Sequence, residues 1–286
     1  MSKRVLALDV GGSSIKSGLV ETGPRIVDGV SVNPIESKGS AAEILNTLAR
    51  IITNHLQQFR DVTEIAFAFP GPFDYESGIC LIRNQEKYDS LYGLDISANL
   101  KEILEMPNLE IRYRNDAEAA ILGEALYGVG MPYSRLIGLT LGTGLGSAFV
   151  ADGKLVTDGA NVPNRGWLYS LPFGARRADD VFSTRGLLAR LREHGIHAID
   201  ITSAVHNPEK DPRALTQAFA AFGSDLGMFL KPFVSDFDAE AVLITGGIAE
   251  TWDRFTLSLT RSLSVPVLKG KLGRRAALFG AAALYF

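Results

Sequence analysis

A single cysteine, Cys80, stands among 286 residues. That excludes an internal disulfide and any cysteine cluster for zinc, and it fits a reducing compartment. No apolar stretch reaches the roughly 18 residues that would suggest a membrane span. Lys3 and Arg4 lead into a short strand-like run rather than an apolar signal region, so a cytoplasmic location is expected. A strong charge excess is also missing. With a net charge of −3, no broad electropositive footprint for nucleic acid is suggested. The chain is 46% hydrophobic and 21% charged, an ordinary globular composition. Its length fits one large domain or two of ordinary size.

Glycine turns at the ends of apolar runs are what the chain does have. Residues 5–10 form an apolar run carrying Asp9 near its end; Gly11, Gly12, Ser13 and Ser14 follow, then Lys16 in a second apolar run. Glycine lets turn amides reach phosphate oxygens with no Cβ in the way. A carboxylate at the mouth of such a turn can hold a Mg²⁺ carried by that phosphate. An ordinary glycine turn with an incidental acid is the alternative.

The patterning predicts an antiparallel meander over residues 5–10, 15–20 and 25–32. Residues 40–59 have helical spacing, with Ser40 as N-cap and Glu43 completing a capping box. A buried strand at 64–69 ends at Pro70-Gly71-Pro72. A helix at 96–104, a strand at 110–114 and a helix at 116–127 follow. The pattern then restarts: strand 136–141, glycine turn 142–144, strand 145–151, and a hairpin to 154–156 through Asp152-Gly153. Residues 157–177 read as loop. Helices are expected at 179–194, 201–205, 212–232, 248–263 and 275–284, with a strand at 241–244.

The theme is duplicated: Asp9-Val10-Gly11-Gly12 and Leu141-Gly142-Thr143-Gly144 each join the first two strands of a meander. Two similar α/β halves facing each other would place both turns across one cleft. Asn115-Asp116 and Thr245-Gly246-Gly247 also lie at predicted strand ends, where open α/β sheets gather ligands.

These segments together resemble the ROK family of sugar kinases, in the actin-like ATPase superfamily. Leu8-Asp9-Val10-Gly11-Gly12-Ser13-Ser14-Ile15-Lys16 is similar to its first phosphate loop, and Phe69-Pro70-Gly71-Pro72-Phe73-Asp74 to its Pro-Gly-Pro-Val-Asp turn. Asn115-Asp116-Ala117-Glu118-Ala119-Ala120 resembles its catalytic segment. Leu141-Gly142-Thr143-Gly144-Leu145-Gly146-Ser147 resembles its second phosphate loop, in a form also similar to the polyphosphate-using glucokinases. Ile244-Thr245-Gly246-Gly247 and Gly280-Ala281-Ala282 resemble the adenosine-side loop and closing helix.

The resemblance implies two actin-like, ribonuclease H-like α/β domains with an interdomain cleft that closes on substrate. Residues 1–115 would be the sugar side and 116–286 the nucleotide side, with the last helix packing back on the N-terminal domain. It implies ATP and Mg²⁺, a small sugar substrate and a homodimer. Asp116 would be the general base and a substrate contact, its alternative being a helix N-cap. Asn115 would bind a sugar hydroxyl. Asp9 would hold Mg²⁺ through water. Gly11, Gly12, Ser13, Lys16, Gly142, Thr143, Gly144, Gly246 and Gly247 would serve the phosphates and nucleotide. Asn84 is a substrate contact or a loop residue.

The sugar wall departs from the family. After Gly159-Ala160-Asn161, Gly166 replaces the sugar-binding Glu and Tyr169 the His, and the cysteine-rich zinc loop is missing. Asp179 stands where a second family Glu would fall, ahead of Ser183. Asn164, Arg165 and Tyr169 could recognise a different acceptor; Arg176 and Arg177 could accept an anionic substituent or be solvated. A non-catalytic sugar sensor and an actin-like nucleotide hydrolase are the competing readings. The family's DNA-binding repressors carry an N-terminal helix-turn-helix; here the first strand is expected from Val5, which disfavours DNA binding.

Overall fold

The computed structural model describes residues 3–21, 25, 26, 29–206 and 211–286. The chain divides into two compact units, Met1–Gly123 with Leu272–Phe286, and Glu124–Lys271.

The first unit contains β1 (Arg4–Val10), β2 (Ser14–Glu21), β3 (Arg25–Ile26), β4 (Ser31–Pro34), α1 (Ala41–Gln58), β5 (Glu64–Phe69), β6 (Phe73–Asp74), β7 (Ile79–Cys80), α2 (Ile96–Ile103) and β8 (Glu110–Asn115), and most of α3 (Asp116–Tyr127). The sheet order is β3-β2-β1-β5-β8, with β4 also on β2. β1 and β2 are antiparallel; β1, β5 and β8 run parallel. Both faces of β1 and β5 are buried, which is why they read as continuous apolar runs rather than alternating ones. The expected 25–32 strand is two short strands, and residues 27 and 28 lie outside the described residues. α1 starts as predicted: Ser40 Oγ accepts from the Glu43 amide while Glu43 reaches back to the Ser40 amide at 2.8 Å. Its Ile44, Leu48, Ile51 and Ile52 pack into one core with Leu6, Leu8 and Phe67.

The closing helix, Ala276–Ala282, seals this unit by backbone approach. A Cβ on Gly280 would stand 1.8 Å from the Ala119 carbonyl oxygen, and one on Gly123 2.0 Å from that of Ala276. Past the helix, the Tyr285 hydroxyl donates to the Glu110 carbonyl at 2.8 Å.

The second unit contains β9 (Arg135–Leu141), β10 (Leu145–Ala151), β11 (Lys154–Val156), β12 (Pro172–Phe173), β13 (Arg176–Arg177), α4 (Ala178–Phe182), α5 (Thr184–Glu193), α6 (Ile201–His206), α7 (Pro212–Asp236), β14 (Ala241–Thr245), α8 (Trp252–Thr260) and β15 (Val267–Lys269). Its order, β11-β10-β9-β14-β15, repeats the first unit: an antiparallel hairpin followed by two parallel strands. The duplicated theme of the sequence is therefore a shared α/β topology.

Several expected boundaries shift. The 179–194 helix breaks at Ser183, whose extended backbone lets its side chain cap the Gly186 amide and start α5. α7 runs past Pro232 to Asp236, since buried Phe229, Leu230 and Val234 hold it on the core. The 157–177 loop contains a short 3₁₀ turn at Asn164–Gly166 and the β12–β13 hairpin. The 248–263 helix opens as a 3₁₀ turn, Gly247–Thr251. β15 went unpredicted because three half-buried residues after Pro266 carry almost no periodicity.

Candidate functional site

In the first unit, the β1–β2 register runs to Val10↔Ile15, so the intervening residues 11–14 form a tight turn. Every carbonyl of that turn is engaged. Gly11 O accepts from the Tyr88 hydroxyl, and Gly12 O from Ser37 Oγ. Ser13 O accepts from the Ile35 amide at 3.2 Å and Ser14 O from the Gly11 amide at 3.0 Å. The Gly12 and Ser13 amides have no partner among the described residues. The free main-chain groups of the turn are thus donors, the arrangement of an anion-binding nest. Glycine is required at 11, where a Cβ would come 2.9 Å from Ser14 O.

Asp9 faces Lys16 across the hairpin, and Lys16 Nζ donates to Asp9 Oδ2 at 2.6 Å. This pairing costs the turn a free cation but fixes Asp9 with its other oxygen open. A single partly exposed carboxylate suits a Mg²⁺ held mainly by phosphates and water. No group of three or more His, Cys, Asp or Glu placed for a metal occurs among the described residues.

The parallel register places Asp9 beside Ala68, and Phe69 beside Asn115, so three strand ends converge on one edge. Asn115 caps α3: its Oδ1 accepts from the Ala117 and Glu118 amides at 3.1 and 3.2 Å. Its Nδ2 donates to the Tyr75 hydroxyl at 2.9 Å, and Tyr75 donates to the Phe69 carbonyl. One amide hydrogen of Asn115 remains for a ligand. Gly71, in the Pro-Gly-Pro turn, lies against this pair, with Tyr75 Oη 3.0 Å from where its Cβ would be. Asp116 is half-buried, and its Oδ1 takes the Ala117 amide at 2.9 Å, leaving Oδ2 open. Burial pushes the Asp116 carboxyl above its ordinary range and Asp9 adds to that, while the Ala117 amide and Lys87 pull the other way.

Asn84 is exposed, in left-handed backbone, among loop residues. The same loop carries residues the sequence reading missed. Tyr88 is fully buried, and its amide donates to the Ser37 carbonyl at 2.6 Å. Lys87 passes over Gly12, its Cδ 4.0 Å from the position a Gly12 Cβ would take. No motif announces these contacts; the only local sign is a lysine beside an aromatic.

In the second unit, Leu141↔Leu145 closes the hairpin around Gly142-Thr143-Gly144. Gly142 O accepts from the Thr184 amide at 2.7 Å and Gly144 O from the Gly142 amide at 3.1 Å. The Thr143 and Gly144 amides have no partner among the described residues. Thr245 pairs with Thr140, so Gly246 and Gly247 begin beside this turn. Gly246 has φ +94° and packs so closely that a Cβ would stand 2.5 Å from Leu141 O. Asp179 belongs here: its Oδ1 accepts from the Leu145 amide at 2.7 Å, and Oδ2 pairs with Arg185 at 2.9 Å.

The remaining predicted acceptor residues form a separate cluster of the second unit. Gly166 has φ +69° and is held by buried Ser147, which donates to its carbonyl at 2.8 Å. Arg165 lies over the Trp167 ring at 4.8 Å, and Trp167 is 5.9 Å from the exposed Tyr169 ring. Asn164 is exposed beside them.

The ROK family model matches residues 5–285. A glucokinase of Thermotoga maritima is 24% identical over 270 residues, 86% of this chain and 82% of that protein. A polyphosphate glucokinase of Mycobacterium leprae is 32% identical over 158 residues, 54% of this chain but 45% of that protein. A solved ROK family glucokinase from Streptomyces griseus, in complex with glucose and AMPPNP, shares the fold with a TM-score of 0.75. The two are 21% identical, and the match covers 99% of each chain.

Proposed function

Since the chain belongs to the ROK family and is a phosphotransferase, we propose that it is a sugar kinase. It would transfer the γ-phosphoryl group of ATP to a hydroxyl of a hexose or related sugar. The observation that carries this is one sheet edge of the first unit. There the turn at residues 11–14, with its free Gly12 and Ser13 amides, and the Asp116 carboxyl stand at the ends of β1 and β8, the two strands that flank β5. One holds an anion; the other accepts a proton.

In this reading the first unit is the acceptor side. Asp116 Oδ2 takes the hydroxyl proton as the sugar oxygen attacks phosphorus, while Oδ1 stays fixed on the Ala117 amide. Asn115 orients a sugar hydroxyl with its remaining N–H. The Gly12 and Ser13 amides hold donor phosphate oxygens. Mg²⁺ held by Asp9 would neutralise phosphate charge. The second unit is the nucleotide side, with Thr143 and Gly144 amides for phosphate and Gly246-Gly247 for the nucleoside end. ATP is the preferred donor because Gly246 and Gly247, for the nucleoside end, follow a strand that pairs beside the second turn; polyphosphate is the alternative. A cytoplasmic homodimer goes with this reading.

A nucleotide-turnover assay across a panel of sugars tests it. One class of sugar should raise ATP turnover well above background, and Asp116→Asn should remove that increment. If no sugar raises turnover, a non-catalytic sugar sensor replaces the kinase; the exposed Tyr169 and the Gly166 wall are what favour that second reading.

A further inference from the structure

The loop of residues 84–88 is built to hold one side chain. Glu86 and Tyr88 both adopt left-handed backbone, with φ of 58° and 59°, on either side of Lys87. Asp89 pins the loop by accepting from the Gln85 and Glu86 amides at 3.1 and 3.2 Å. Tyr88 ties it to the phosphate turn through the Gly11 carbonyl, and to Ser37 through its amide. Non-glycine residues in left-handed backbone cost energy, and they persist where surrounding contacts over-determine them.

The held side chain is Lys87. Its stem crosses Gly12, whose amide is unengaged. It forms no ion pair among the described residues, whereas Lys16 is taken up by Asp9. Lys87 also acts electrostatically on Asp116. It is thus a cation with no ion pair among the described residues, placed over the turn and acting on the base candidate through its charge.

We propose that Lys87 is a catalytic residue that holds the phosphoryl group as it passes from the donor to the acceptor hydroxyl. This rests on the kinase reading above. The acceptor oxygen forms a bond to phosphorus, and its proton goes to Asp116. The bond from phosphorus to the leaving phosphate oxygen breaks, with its electron pair staying on that oxygen. Lys87 remains an ammonium throughout and donates hydrogen bonds to the non-bridging oxygens. Such a fixed donor, aimed at charge that develops in the transition state, accelerates the chemical step rather than substrate binding.

The test compares wild type with Lys87→Met, which keeps the stem over Gly12, and Lys87→Arg, which keeps the charge. With the most active sugar, Lys87→Met should lower kcat about 100-fold or more, with sugar KM changed far less. Lys87→Arg should recover at least about tenfold of that loss. The acid limb of kcat/KM should move to higher pH in Lys87→Met, because Lys87 is a cation near Asp116 while Asp9 opposes it. A lysine that served only to pack its stem on Gly12 would not move that limb, and the kcat loss with KM little changed separates contact with the phosphoryl group from this charge effect alone. Independently of any variant's folding, Mg²⁺ with AMPPNP should protect Lys87 of the wild type from acetylation relative to exposed Lys154. An active wild type whose Lys87→Met keeps kcat within threefold, or whose Lys87 is not protected, overturns the proposal and leaves the kinase reading standing. A wild type that no sugar activates overturns both.

Discussion

Asp179 and Leu145 are joined by a 2.7 Å hydrogen bond from backbone amide to carboxylate, at the edge of the second unit's glycine turn. The same carboxylate lies where a Cβ on Gly144 would come within 3.1 Å of it. Asp179 is therefore part of the support of residues 142–144. Asp179→Ala should loosen that turn and raise the KM for ATP roughly tenfold, the worth of one charged hydrogen bond of about 1.5 kcal/mol. Sugar KM should change little. Asp179→Asn, which keeps an acceptor, should lose much less. Steady-state kinetics with either substrate varied separates the two.

Asp116 carries a second, opposite prediction. Its carboxyl titrates above the ordinary range, chiefly through burial. The native state thus holds this proton more tightly than the unfolded chain, so stability falls as pH rises through the interval between the two pKa values. Asp116→Asn removes that cost. It should abolish sugar-stimulated turnover yet raise the melting temperature at pH 7.5, with the gain vanishing near pH 4. In the wild type, activity should rise with pH through the raised pKa, since only the ionised carboxylate accepts a proton. A melting curve at each pH and a pH–rate profile read both effects.

Gly280→Ala should destabilise the protein by on the order of 1–3 kcal/mol, because the obstacle is the Ala119 backbone rather than a flexible side chain. Gly123→Ala should behave alike, since its obstacle is the Ala276 carbonyl. Urea unfolding midpoints measure both. Each change acts through the seal between α3 and the closing helix.

Restoring the family's acid by Gly166→Glu should not restore a glucose site. The left-handed backbone at 166 and a Phe149 carbon 3.3 Å from the new Cβ oppose any side chain there. The expected result is a loss of about 1–3 kcal/mol of stability with no fall in glucose KM. A lowered KM would show that the loop 164–169 can refold around an acid.

Much of this was legible in the sequence where the determinants are local. The Ser40–Glu43 capping box, the two hairpins around glycine turns and the start of α3 depend on residues within a few positions of one another. Capping, the alternative to catalysis for Asp116, falls mainly to Asn115, whose Oδ1 meets two free amides; Asn and Asp are equally good caps, so the sequence does not separate them. The break at Ser183 was hidden because the apolar spacing continues across it. Lys87, Ser37 and Tyr88 were invisible for another reason. Tyr88 meets Gly11 across 77 positions of chain, and no pattern in either segment refers to the other.

The turn at residues 11–14 has a final consequence. Its four carbonyls each already take a donor, from Tyr88, Ser37, Ile35 and Gly11, while the Gly12 and Ser13 amides stay free among the described residues. A group seeking a main-chain acceptor meets carbonyls already in use, whereas any phosphate oxygen finds two amides. The turn therefore senses the sign of a group and is blind to the molecule that bears it. Pyrophosphate, polyphosphate and ATP look alike to it, so discrimination among donors falls to residues that touch what lies beyond the phosphates.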